Sequence, residues 1–276
     1  MIRNKNVQLL LVASLSDASV FHSITFIFHW PTLYNSFIIA MAEDNWNGST
    51  EEKKFWLIGD IFIKSTLRER EWQSSPVTGC KHEPKMAIER ARNEATNLKF
   101  IQQSTNIPVP KVLCEYEDDG AYVIVMTRAK GVPLQTLSSA QKAVVIPKIP
   151  PHIHTFHQIR SSKIGGASGI VCPPYSILNQ TPHDKCHWSL KCADSEKYVF
   201  CHMDAHQGNI FVDPKTLEIT CFIDFEFAGF YPEHFDLHRY EHDPSKPLNL
   251  DKFNQEFTNF IESQRYGSQP PCSRVD

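Results

Sequence analysis

The period of the apolar positions changes several times along the chain, and each change marks a new element. "FWLIGDIFIK" sets two short apolar runs on either side of Gly59-Asp60, a hairpin signal that leaves Lys64 at the exit of the second strand. The turn-rich "SSPVTGCKHEP" then reads as an exposed loop. In "KMAIERARNEATNLKFIQQ", Met86, Ile88, Ala91, Ala95, Leu98 and Ile101 fall at mostly helical spacing, and Glu94 lies inside the helix they predict. "IPVPKVLCEYEDDGAYVIVMTRAKGVPL" reads as a strand, an acidic turn at Asp118-Asp119-Gly120, a second strand and an irregular exit through Gly131 and Pro133. The first half is thus expected to be a sheet with one helix.

The later half opens like an amphipathic helix in "LSSAQKAVVIPKIPPHIHTFHQIRSS", but Pro147, Pro150 and Pro151 cut it. Interior proline costs about 3 kcal/mol, so two shorter helices are expected in its place. "GGASGIVCPPYSILNQTPHDKCHWSLKCADSEK" reads as a long loop. Strand-like runs at Ile210–Asp213 and Ile219–Ile223 flank the turn "PKTLE", and after Pro232 come an aromatic-rich helical segment and a polar tail. No internal repeat interrupts this order.

Composition narrows the classes. With 41% hydrophobic residues the chain can bury a sizeable core, and a formal net charge of −3 leaves no basic surplus for nucleic acid, so a small-molecule partner is expected. Eight scattered cysteines without a C-x-x-C pair read as reduced, cytoplasmic thiols, although Asn47-Gly48-Ser49 has the form of a glycosylation acceptor in an exported chain. Arg3 and Lys5 before Leu9–Ala13 look like a weak signal peptide, and Ala18–Ala42 carries no formal charge. His22, His29, Pro31 and Asn35 make that stretch a poor membrane helix. Met41 is read as the natural start, with residues 1–45 a poorly defined extension.

The chemistry concentrates in "HMDAHQGNIFVDPKTLEITCFIDFEFAG" (His202–Gly229). If the two runs pair as a hairpin, Asn209 lies across from Asp224 at its open end, with Asp204 in the loop before and Glu226 two residues beyond. Four oxygen-bearing side chains then share one small volume, which is costly unless a cation neutralises it. Oxygen ligands without thiolates favour Mg²⁺, which completes its shell with phosphate oxygens, and Asp204 is placed to take a proton from a substrate hydroxyl.

His202-x-Asp204-x-x-x-x-Asn209 followed by Ile223-Asp224-Phe225-Glu226 resembles the aminoglycoside phosphotransferase and choline kinase superfamily, a branch of the protein-kinase-like fold. "FIDFEFAGFYPE" is especially similar to its fungal members of uncharacterised substrate, and the likeness runs from about Phe55 to about Glu233. The resemblance implies a two-lobed α+β fold with a small N-terminal sheet lobe and a larger, mainly helical C-terminal lobe, divided as residues 46–128 (nucleotide side) and 129–276 (catalytic and acceptor side). It implies ATP and Mg²⁺ as cofactors and transfer of the γ-phosphoryl group to a hydroxyl of a small molecule. Asp204 would be the catalytic base, Asn209 and Asp224 metal ligands assisted by Glu226, and His202 a support of the catalytic loop. Lys64 would contact the nucleotide phosphates and Glu94 would pair with it. The stretch centred on Met126 would be the hinge whose backbone bonds adenine, and His157 resembles a histidine ending a long helix.

Three features depart from the family. Met203 stands where a small residue, often glycine, is usual; the Pro147–Pro151 cluster interrupts a helix; and nothing before Phe55 reads as a first strand with a nucleotide-covering turn. Two rival readings follow: a catalytically impaired, kinase-like nucleotide-binding protein, and a metal-dependent hydrolase built on His202, His206 and Asp224.

Overall fold

The computed structural model describes residues 45–74, 79, 81–182, 186–243 and 246–265. The signal-like run, the uncharged stretch, Met41, Cys80 and the C-terminal tail with Cys272 lie outside them. Among the described residues no helix is long and apolar enough to cross a membrane, and six cysteines are free thiols.

The N-terminal part is a five-stranded antiparallel sheet in the order β1-β2-β3-β5-β4. Its strands are β1 (Asn45–Ser49), β2 (Lys53–Ile58), β3 (Ile61–Thr66), β4 (Val112–Asp118) and β5 (Ala121–Thr127). The Gly59-Asp60 hairpin forms as expected, closed by the Ile58–Ile61 pair. At the acidic turn Asp119 and Gly120 both take positive φ, at 48° and 79°, the twist that a two-residue hairpin needs and that Asp-Gly supplies at least strain. β1 corrects the expectation that no strand precedes Phe55. Asn45–Ser49 pairs along its whole length with Lys54–Ile58. As an edge strand with no fully buried residue it needs no apolar alternation, so the pattern did not mark it.

The sheet's outer face holds a small cluster of Ile63, Val123 and Val125. Its inner face, with Tyr122, Ile124 and Met126, packs on α1 (Ala87–Ser104) through Ala91, Ala95, Leu98 and Ile101, the residues whose spacing predicts the helix. Because facing residues of paired strands share a side, Lys64 opposite Ile124 points inward as well.

The C-terminal part begins after Thr127. Helices α2 (Ser139–Val145) and α3 (Pro150–His157) replace one long helix, separated by a 3-10 turn at Ile146–Lys148. Ser138 opens α2 with a capping box to Gln141, and prolines sit in the first turn of α3, where no amide bond is lost. The long loop contains one short helix, α4 (Tyr175–Leu178), and the C-terminal helix is α5 (Asp251–Gln264). These helices share the lobe with two three-stranded sheets. One comprises β6 (Val132–Pro133), β9 (Ile210–Val212) and β10 (Ile219–Phe222); the other β7 (Arg160–Ser161), β8 (Tyr198–Cys201) and β11 (Gly229–Tyr231). Gly229 is required in β11, since a Cβ there would lie 2.6 Å from the Gly165 carbonyl carbon. One apolar core joins α1 to Phe156, Phe200, Phe222 and Phe225, so the two-lobed α+β architecture is continuous through its centre.

Candidate active site

The hairpin of β9 and β10 brings Phe222 opposite Ile210, and the Ile223 amide donates to the Asn209 carbonyl at 3.0 Å. The chain then turns sharply: Asp224 has φ of 67°, a left-handed conformation uncommon outside glycine. Its carboxylate leaves the hairpin toward the first lobe, where Lys64 Nζ donates to Asp224 Oδ1 at 2.7 Å and to the two Glu94 oxygens at 2.7 and 2.9 Å. Residues of the sheet, of α1 and of the hairpin thus meet at one ammonium. Burial lowers the lysine pKa, but Asp224 and Glu94 more than offset that, so it stays charged. Burial raises Asp224, yet Lys64 and then Lys53 hold it well below the usual carboxylate range, while burial leaves Glu94 raised.

Behind Asp224, Asn209 Nδ2 donates to the Asp204 carbonyl at 3.0 Å and to its Oδ2 at 3.2 Å. The other Asp204 oxygen is paired with Arg239. Burial pushes the Asp204 pKa up to about 7, against Arg239 and with the help of the Asp224 and Glu226 charges.

The loop that carries Asp204 is braced from two sides. His202 is fully buried; its Nε2 donates to the Ile223 carbonyl at 3.1 Å and its Nδ1 accepts the Asp204 amide at 3.3 Å, a pattern that fits a neutral imidazole with its pKa lowered by burial. Met203 takes φ of 65°, which explains why a small residue is expected there; its apolar side chain is buried in the core instead of crowding the loop. The Met203 amide donates to Asp236 Oδ1 at 3.0 Å, and Asp236 Oδ2 accepts from His157 Nε2 at 2.9 Å.

Burial lowers the His157 pKa, but the hydrogen bond and charge of Asp236 win and the net shift is upward. A raised imidazole pKa adds stability in full below its unfolded value, near 6.5, and loses it as pH rises through the folded value. Thermal melts across this window are expected to show the parent losing stability with rising pH and His157→Gln losing less; parallel curves would exclude the pair as the cause.

Glu226, which the sequence pattern marked, and several residues that it did not mark complete the site. Glu226 is buried, ion-paired with Lys53 and 3.5 Å from Arg90 Nη1. Arg90 is 0% exposed and also donates to Glu52 at 2.8 Å, to the Lys85 carbonyl at 3.1 Å and to the Tyr175 hydroxyl. Asn93 and Asn97 of α1 donate to the carbonyls of Phe225, Glu226 and Ala228 at 2.8–3.1 Å, fixing the segment after Asp224. Among the unmarked residues, Lys53 shares the inward phase of Leu57 in β2, and Arg90, Asn93 and Asn97 recur at helical spacing on the buried face of α1.

Glu94, Asp224 and Glu226 have oxygens within 4.8 Å of one another. Three cations, Lys53, Lys64 and Arg90, face four carboxylates once Glu52 is included, so an excess negative charge remains. The geometry departs from expectation at two points. Met126 lies inside β5, paired with Phe62 and Val112, so the connector starts later, at Arg128. Both His202 nitrogens are engaged by backbone, and the metal-type clusters among the described residues do not join His202 and His206 to Asp224, which removes the basis of the hydrolase reading.

The segment bearing Asp204, Asn209, Asp224 and Arg239 also has a sequence relationship. Residues 181–240 match the phosphotransferase enzyme family. The matched residues span the whole hairpin together with His202 and Asp236, whereas Lys64, Glu94, Asn93, Asn97 and His157 lie before them. No curated protein sequence matches the chain. Among solved structures, aminoglycoside phosphotransferase APH(3'')-Id from Streptomyces rimosus aligns with 87% of this chain and 100% of its own at 13% identity and a TM-score of 0.49. Its complex with ADP and streptomycin aligns over 86% and 91% at 14% identity and 0.49. Aminoglycoside phosphotransferase APH(4)-Ia aligns over 84% of each chain at 14% identity and 0.47.

Proposed function

We propose that the protein is an ATP-dependent phosphotransferase with a small alcohol as acceptor, residues 46–128 serving the nucleotide and residues 129–276 the acceptor. The observation that carries this reading is the Lys64 ammonium, bonded to Glu94 and Asp224 across 30 and 160 residues of sequence, with Asn209 and Asp204 linked directly behind. In the reaction the acceptor oxygen bonds to the γ-phosphorus of ATP, the bond to the bridging oxygen breaks, and ADP leaves. The hydroxyl proton passes to the Asp204 carboxylate.

The donor set suits a hard divalent cation, since it offers carboxylate and amide oxygens and an excess negative charge. Asn209 and Asp224 would hold Mg²⁺, with Glu226 beside them, and the ion would neutralise phosphate charge. Lys64 orients the nucleotide phosphates, Glu94 holds Lys64 in place, and His202 keeps the loop in register. The turn between β1 and β2 at Thr50–Glu52, where Thr50 Oγ1 accepts the Lys53 amide at 2.9 Å, would cover the nucleotide.

Calorimetric titration with ATP, with and without Mg²⁺, tests the reading. The parent is expected to bind ATP in a Mg²⁺-dependent way, and Asp224→Ala to bind it about tenfold or more weakly. Unchanged affinity in the variant would remove Asp224 from the metal site, and no Mg²⁺-dependent binding by the parent would overturn the proposal.

A further inference from the structure

Next to the catalytic loop lies a cleft of about 400 Å³, walled by the 3-10 turns Glu233–Phe235 and Arg239–Glu241 and by α5. Gln207 of the catalytic loop ties this wall in place, donating to the carbonyls of Tyr240 at 2.9 Å and His242 at 3.2 Å.

Arg239 belongs to both places. One end of its guanidinium is paired with Asp204, the group that receives the acceptor's proton, while its Nε is buried and has no acceptor among the described residues. Arginine's planar fork binds carboxylate or phosphate through several donors, so it can hold an anion while still touching Asp204. Three imidazoles, of His234, His238 and His242, line the same space; His242 Nε2 donates to the Lys246 carbonyl at 2.9 Å and His238 Nδ1 lies 3.6 Å from Glu241. Phe235 and Phe253 give it an apolar wall. Glu256 is the one carboxylate among the lining residues, and it lies 3.8 Å from Lys252 as an ion pair. A polycation would therefore meet two cations and a carboxylate already engaged.

We propose that this cleft receives the acceptor alcohol and selects one that carries an anionic group, a carboxylate or a phosphate, bound by Arg239 on an otherwise apolar body. The inference rests on the phosphotransferase reading for the role of Asp204. It separates the acceptor chemistry of this chain from that of polycationic amino sugars.

The test uses defined probes and calorimetric titration, run without nucleotide and again with Mg·ADP. Phenyllactate offers a carboxylate, phenyl phosphate a phosphate, phenyllactamide the same body without charge, and streptomycin a polycation. At least one anionic probe is expected to bind about tenfold or more tightly than the amide, as one charge-assisted contact requires. Comparing the two anionic probes shows which group is preferred. In Arg239→Gln that preference should shrink to within about twofold, with binding of the amide unchanged.

The proposal is overturned if the amide or streptomycin binds the parent as tightly as the anions, if no anion binds, or if the preference survives in a folded Arg239→Gln. Should that variant not fold, the parent's own ranking of the four probes decides. A parent that ranks the anions first yet ignores Mg·ADP would sink the phosphotransferase reading and leave the anion site standing.

Discussion

Asp204→Asn is expected to bind Mg·ATP as the parent does while its rate of phosphoryl transfer falls by about 10²–10⁴-fold, the usual worth of a positioned general base. The substitution is nearly isosteric, and the new amide oxygen can still accept the Asn209 bond that now spans 3.2 Å. What disappears is the proton acceptor and the charge facing Arg239. Since Lys64, Glu94 and Asp224 hold one another without Asp204, the nucleotide side keeps its contacts. Radiolabelled ATP and any acceptor turned over by the parent provide the measurement. Equal turnover in both proteins would reject the role assigned to Asp204.

The second large effect concerns stability. Arg90→Met should destabilise the fold by about 3–5 kcal/mol, because it takes from the largely buried Glu52 its paired guanidinium and leaves Glu226 with Lys53 alone. For a chain of this size that is a fall in melting temperature of roughly 10 °C. Arg90 has no exposed surface, and Glu52, Tyr175 and Glu226 converge on it, with the Tyr175 ring 4.7 Å from the guanidinium carbon. A surface pair would give at most about 1 kcal/mol. A fall of only about 2 °C would show that the network behaves as an exposed one. Restoring the charge with Arg90→Lys should recover only part of the loss, since an ammonium lacks the planar fork that serves several acceptors at once.

The sequence was most informative where local signals coincide with burial. The Gly59-Asp60 and Asp119-Gly120 turns, the face of α1 and the proline break between α2 and α3 could be read because each rests on backbone limits or a short-range period. The Asp204, Asn209 and Asp224 triplet was legible because one hairpin sets their spacing. Strand β1 was not, being an edge strand of polar residues. Nor were Arg90, Lys53 or Arg239 marked as site residues: their roles depend on partners such as Glu226, 136 and 173 residues from the first two, which no local window contains. Met126 was placed in the connector because an apolar strand end and the start of a linker look alike in one dimension.

Helix α1 grips three things at once: the sheet through Lys64 and Glu94, the β1–β2 turn through Arg90 and Glu52, and the peptide after Asp224 through Asn93 and Asn97. A helix moored at so many points is a poor pivot, because swinging it would cast off every line together. The β1–β2 tip is lashed down as well: the Glu52 carboxylate takes both Arg90 and the Tyr175 hydroxyl, and Lys53 beside it is paired with Glu226, so the tip and the helix resist displacement together.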